Sequence, residues 1–145
     1  MTVEIPGYDV PIQLGASINP TWYEKLKAIA DSAGGGANAA LIPRNVQNAD
    51  YTCALSDAGG FIYHDTGSHT FTIPANASVP FDIGTPITFV NVAAGGVVTI
   101  ACGDTMILMN GGPLSTGSRS LANYGIATAL KVHATAWVIS GSGLT

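Results

Sequence analysis

From residue 50 onward, apolar and polar side chains alternate with a period of two, the repeat of a half-buried strand, and Gly or Pro interrupts the pattern at short intervals. The segmentation predicts about eight or nine strands, over residues 51–55, 61–64, 69–73, 87–92, 97–101, 105–109, 118–123, 126–133 and 135–140. Such a series predicts a mainly β fold, an antiparallel β-sandwich or barrel of jelly-roll type. Several of the strands are apolar on both faces. Segment 87–92 sets Ile87 and Phe89 against Val90 and Val92, and 105–109 sets Ile107 and Met109 against Met106 and Leu108. A small antiparallel sheet normally leaves one face polar. The surplus apolar face therefore calls for a second cover, and contact between copies of the chain supplies it most simply.

The first 49 residues follow a different pattern. Residues 1–18 carry Pro6, Gly7, Pro11 and Gly15, with Val10, Ile12 and Leu14 around Gln13, which predicts an extended arm without a core of its own. Asn19 is a good N-cap, and Pro20 suits the first helical position, where no amide hydrogen is needed. Trp22, Leu26, Ile29 and Ala33 then share one face of a predicted helix over 19–33, opposite Glu24, Lys27 and Asp31. Gly34, Gly35 and Gly36 end it and open a Gly-rich linker over 34–49, ahead of a β domain over 50–145. A helix of about four turns is marginal alone in water. Val10, Ile12, Leu14, Trp22, Leu26 and Ile29 are accordingly the expected attachment or oligomer contacts.

Charge narrows the choice of partner. Only 10% of the residues are charged, against roughly 25% in an average soluble domain, and the net charge is −4. With no basic stripe to neutralise phosphates, nucleic acid is not an expected partner. The longest charge-free run, between Asp82 and Asp104, contains Pro86, Asn91, Gly95 and Gly96 and predicts strand, turn and strand; no membrane partner is expected. The opening residues Met1 to Pro6 lack a basic start followed by an apolar stretch, so synthesis in a cytoplasm is expected. Cys53 and Cys102 lie in apolar alternating segments with no metal or disulfide spacing and read as buried small hydrophobes.

Candidate chemistry is sparse. The run Tyr63 to His69 reads as a hairpin with Asp65 to Ser68 as its loop, which would set His64 opposite His69 and Ile62 opposite Phe71. Opposed Cβ atoms lie about 5 Å apart, so His64, Asp65 and His69 are the weak metal candidates of this chain; a polar rim on an apolar sheet is the plainer reading. No cofactor is implied. Ser78 and Ser140 do not resemble the strained nucleophile elbow, and Asp57, Asp65, Asp82 and Asp104 sit in turn-like contexts, where Asp stabilises the turn itself. No catalytic residue is expected. Tyr63, Tyr124 and Trp137 are the candidate sugar platforms, because an exposed ring can cover a sugar face. Arg119 and Lys131 are expected to pair with turn aspartates or to cross a subunit boundary.

Three ordered runs and the close of the chain carry a resemblance. They are Tyr51-Thr52-Cys53-Ala54-Leu55-Ser56-Asp57-Ala58-Gly59-Gly60, Thr72-Ile73-Pro74-Ala75-Asn76-Ala77-Ser78-Val79, Ile83-Gly84-Thr85-Pro86-Ile87-Thr88-Phe89-Val90-Asn91, and Ala127 to Val132 with Trp137 to Gly141. Together they resemble a β domain recurrent in virion proteins of tailed bacteriophages, and Ile18-Asn19-Pro20-Thr21-Trp22-Tyr23 is similar to the start of small phage structural proteins. The resemblance implies a non-enzymatic virion component made in the host bacterial cytoplasm. Such domains often end longer fibre polypeptides, whereas little precedes the domain here, which favours a capsid decoration protein or a short head fibre or spike. Its expected partners are copies of itself, as a homotrimer, and the major capsid protein or another virion protein. The alternative is a tail fibre tip that recognises host glycan.

Overall fold

The computed structural model describes residues 2–3, 12–13, 25 and 41–145. The chain divides into two units, Met1–Leu41 and Ile42–Thr145. In the first, strands β1 (Thr2–Val3) and β2 (Ile12–Gln13) pair antiparallel, Thr2 opposite Gln13 and Val3 opposite Ile12. The stretch expected as an extended arm therefore contains a strand pair of its own. Lys25 is helical. The rest of the expected helix over 19–33, with Trp22, Leu26 and Ile29, lies outside the described residues, as do Val10 and Leu14.

The second unit is mainly β. Its strands are β3 (Arg44–Val46), β4 (Tyr51–Thr52), β5 (Phe61–His64), β6 (His69–Ile73), β7 (Pro86–Asn91), β8 (Val98–Cys102), β9 (Thr105–Leu108), β10 (Arg119–His133) and β11 (Ala136–Leu144), with a 3-10 turn at Leu55–Asp57. The unit starts at Ile42 and not at residue 50, because β3 occupies part of the expected linker. Three residues of sequence Arg-Asn-Val are too short and too polar to signal a strand by alternation. They become one by pairing in parallel with β5.

All nine strands belong to one curled sheet. Strands β3, β5 and β7 lie side by side and parallel, and so do β4, β6 and β8. The chain thus steps back and forth between two walls, making three coils: β3 with β4, β5 with β6, and β7 with β8. Strand β10 closes both walls, antiparallel to β8 through Arg119 to Leu121 and to β7 through Gly125 to Leu130. Strand β11 returns antiparallel along β10 and carries β9 in parallel on its other edge.

This corrects the antiparallel order expected from the sequence. Alternation reports which side chains are buried and is silent on strand direction, and the short connections that suggest hairpins instead cross from wall to wall. The expected hairpin at 63–69 is one such crossing. His64 pairs with Asn91 and His69 with Val98, not with each other.

The core fills the space between the walls. Ile62, Ile87 and Phe89 come from one wall and Phe71, Ile73, Val98 and Ile100 from the other, and the Phe71 and Phe89 rings stack at 6.3 Å between centroids. Coil stacking is tight where the chain crosses. A Cβ on Gly96 would fall 1.9 Å from the Gly67 carbonyl oxygen, so the third coil rests on the second only because that position has no side chain. The segments expected as separate strands, 118–123 and 126–133, are one strand with a corner. Its register against β11 breaks between Leu121 and Ile126, and Tyr124 in the break has a φ of 58°.

Candidate functional site

The two walls present opposite chemistry to solvent. On the outside of the β4, β6 and β8 wall, Thr52 lies beside Thr72 and Ala101, and Thr70 beside Thr99 and Ser120. That surface is a threonine lattice. On the outside of the other wall, Val46, Tyr63, Val90 and Ile126 form one continuous row across β3, β5, β7 and β10. Pro86, Leu130, Val138 and Ile107 form a second row across β7, β10, β11 and β9. Between them Phe61 adjoins Thr88, which in turn adjoins Thr128, and the two threonine hydroxyls bond each other at 2.9 Å. Val46, Ile126, Leu130 and Val132 remain exposed. A shallow depression of about 240 Å³ lined by Ile42, Phe61, Thr88, Val90 and Ile126 marks this surface.

The three candidate sugar platforms separate. Trp137 is 1% exposed and packs edge to face on Phe81 in the core, so it presents no ring to a ligand. Its place between Thr135 and Ile139 on an alternating strand is the pattern of a core residue. Tyr63 is half-buried in the apolar row and lies under the Arg44 guanidinium, 5.4 Å from the ring centroid. Tyr124 is 72% exposed. A bulky side chain at positive φ is strained, and here the strained residue is the one whose ring stands free.

The His64 and His69 rings do come together, edge to face at 5.0 Å, although by a different route from the expected hairpin. His64 has no ring nitrogen left free for a metal ion. His64 is fully buried, with Nδ1 2.9 Å from the Gln47 carbonyl oxygen and Nε2 3.0 Å from that of Gly67. A neutral imidazole has one N–H and can satisfy one of these; the doubly protonated ring satisfies both. Both nitrogens are committed to backbone, and Asp65 is turned away to accept from the Asn48 amide at 2.7 Å. Among the described residues no cluster of His, Cys, Asp or Glu is placed to hold a metal ion.

A second buried network ties the first coil together. The Asp57 carboxylate accepts from the Asn45 amide, the Tyr51 hydroxyl and the Ala54 backbone N–H, each at 2.8 Å. Gln47 donates to the Asn45 amide oxygen at 2.8 Å. Burial, with Asp57 beside it, raises the Tyr51 phenol pKa. Asp57 thus serves the turn, as expected, and also anchors β3 and β4 to it. Sequence spacing gives no sign of the Asn45 contact.

The two late cations, expected to pair with turn aspartates or to cross a subunit boundary, are interior and bond neutral side chains instead. Arg119 is 8% exposed and donates from Nη2 to the Ser115 hydroxyl at 3.2 Å, while its buried Nε has no partner. Lys131 is 1% exposed, donates to the Asn76 side-chain oxygen and lies 5.7 Å from the Trp137 ring centroid. Cys53 is buried and free, as expected, and Cys102 is half-buried and free.

No family model matches the chain, and neither the curated proteins nor the solved structures contain a match to it.

Proposed function

We infer that this is a non-enzymatic structural protein of a tailed-phage virion, a capsid decoration protein or a short head fibre or spike. Its N-terminal arm and helix attach it to the capsid lattice, and its β domain associates with further copies of itself, as a trimer. The observation that carries this reading is the apolar outer wall, with Val46, Tyr63, Val90 and Ile126 in one row and Leu130 in the next. Monomeric soluble proteins rarely expose a continuous apolar patch larger than a few hundred Å², and a second copy brings the same charge-poor chemistry to meet it. The resemblance of the β-domain runs to phage virion domains supports the same reading, and several arms engaged at once would make weak single contacts durable.

Deleting residues 1–18 tests the assignment. The truncated protein is expected to keep its β domain folded and its oligomeric mass by light scattering, and to lose attachment to particles. Undiminished attachment, or a wild-type chain that is monomeric in dilute buffer, overturns it. The exposure of Tyr124 favours a second reading, a fibre tip whose ring covers a sugar face of host glycan. Under that reading Tyr124→Ala abolishes cell binding and leaves particle attachment intact.

A further inference from the structure

Lys131, Asn76 and Asp104 meet from three distant parts of the chain. Lys131 lies on β10, Asn76 in the connection between β6 and β7, and Asp104 in the turn between β8 and β9. The Lys131 ammonium nitrogen donates to Oδ1 of Asn76 across 55 positions of sequence. The Asp104 carboxylate accepts the Asn76 backbone N–H at 2.8 Å. Burial raises the Cys102 thiol, on which the charges of Asp104 and Lys131 act with opposite sign.

The surroundings are those of a reaction site and not of a solvated ion pair. Lys131 is 1% exposed, and Trp137, its direct partner on β11, is equally buried and carries Phe81 edge to face on its ring. An ammonium offers three donors, and the structure gives this one a single hydrogen-bond acceptor, Asn76 Oδ1. The contact sets the amine beside the amide, and attack requires Nζ to swing from the oxygen to a position over the amide plane at Cγ. Fixed backbone holds both ends in place. The Lys131 N–H donates to the Thr85 carbonyl at 2.9 Å, its carbonyl accepts from Gly84 at 2.8 Å, and Asn76 is held by Asp104.

We propose that Lys131 and Asn76 join in an intramolecular isopeptide bond, with Asp104 as the proton carrier. Asp104, held on the Asn76 backbone N–H, makes no ion pair with Lys131 in the resting structure, so the step begins with Nζ moving toward it. The ammonium then gives the carboxylate one proton, and the freed amine attacks Cγ of Asn76. Asp104 returns the proton to Nδ2, the Cγ–Nδ2 bond breaks, and the nitrogen departs as ammonia. The second proton released from Nζ leaves with it, as ammonium. One amide bond is exchanged for another, so neither oxidant nor cofactor enters. The product replaces a buried charge with a neutral amide and clamps the connection after β6 to the strand that closes both walls.

Intact-mass spectrometry of the full purified chain reads the bond directly. The wild-type chain is expected to weigh less than its sequence by one ammonia, and proteolysis is expected to release one branched peptide holding both Asn76 and Lys131. Locating the loss in that branched peptide separates it from cyclisation within an asparagine. Lys131→Met and Asn76→Ala are each expected to carry the full mass and to migrate more slowly on a denaturing gel. Asp104→Asn is the decisive variant, because the new amide keeps an oxygen for the Asn76 N–H but cannot carry the proton. It is expected to fold, by circular dichroism, and to keep the full mass. A wild-type chain of full mass with two separate peptides overturns the cross-link, and a folded Asp104→Asn chain that contains the branched peptide overturns the role of Asp104.

Discussion

His64 and Asn91 occupy the same step of successive coils. They are partners across β5 and β7, and each turns its side chain onto the carbonyl of a glycine in the crossing that follows, Gly67 for His64 and Gly96 for Asn91. Asn91 also donates to the Leu121 carbonyl and accepts the Ala93 N–H. Two different side chains thus plug equivalent corners, where the backbone leaves the wall and loses its sheet partners. A buried polar group left unmatched costs about 1–3 kcal/mol. Asn91→Leu is expected to destabilise by about 2–4 kcal/mol, since three backbone groups lose their partner together. His64→Phe is expected to cost about 1–3 kcal/mol. Urea unfolding of the two variants measures both.

Glycine at position 96 permits the coil-to-coil contact with Gly67. Gly96→Ala is expected to push the coils apart and cost at least 3 kcal/mol, on the order of the worst core substitutions. Gly84→Ala is the control. Its added methyl meets nothing within 4 Å, and only the positive φ of 94° opposes it. A loss of about 1 kcal/mol is expected there. Equal losses at the two positions would contradict the tight crossing.

The apolar outer wall makes a separate prediction about association. Val90→Asp and Ile126→Asp are each expected to lower the oligomeric mass seen by light scattering. Thr99→Asp, on the threonine wall, is expected to leave it unchanged.

Burial, with Asp57 nearby, pushes the Cys53 thiol up to about 12 from its ordinary 9.0. The folded state therefore holds this proton more tightly than the unfolded chain does. Its contribution to stability is complete below about pH 9 and is lost progressively as pH rises from there through about 12. Cys53 is expected to resist alkylation at neutral pH until the protein is unfolded, whereas half-buried Cys102 reacts first. Peptide mapping after timed alkylation distinguishes the two.

The strands themselves were largely legible, because alternation reports burial residue by residue. The expected ranges for β5 and β6 coincide with the observed ones, Phe61–His64 and His69–Ile73. What alternation does not encode is the neighbour. His64 and Asn91 do equivalent work with different side chains, and their crossings reach Gly67 and Gly96 after different numbers of residues, so no sequence repeat betrays the coils. Polar contacts across long separations were invisible for the same reason. Asn45 with Asp57 and Lys131 with Asn76 are brought together by strand pairing that spacing alone does not specify. Surplus apolar character on segment 87–92 was readable, and Val90 is where it surfaces, on the outer wall.

The strand shared by both walls has a consequence for synthesis. Until Arg119 to Leu130 has left the ribosome, β7 and β8 each offer an unpaired margin, and neither wall has its final neighbour. A nascent chain therefore completes this structure late and all at once, and its exposed margins are open to mispairing in the interval.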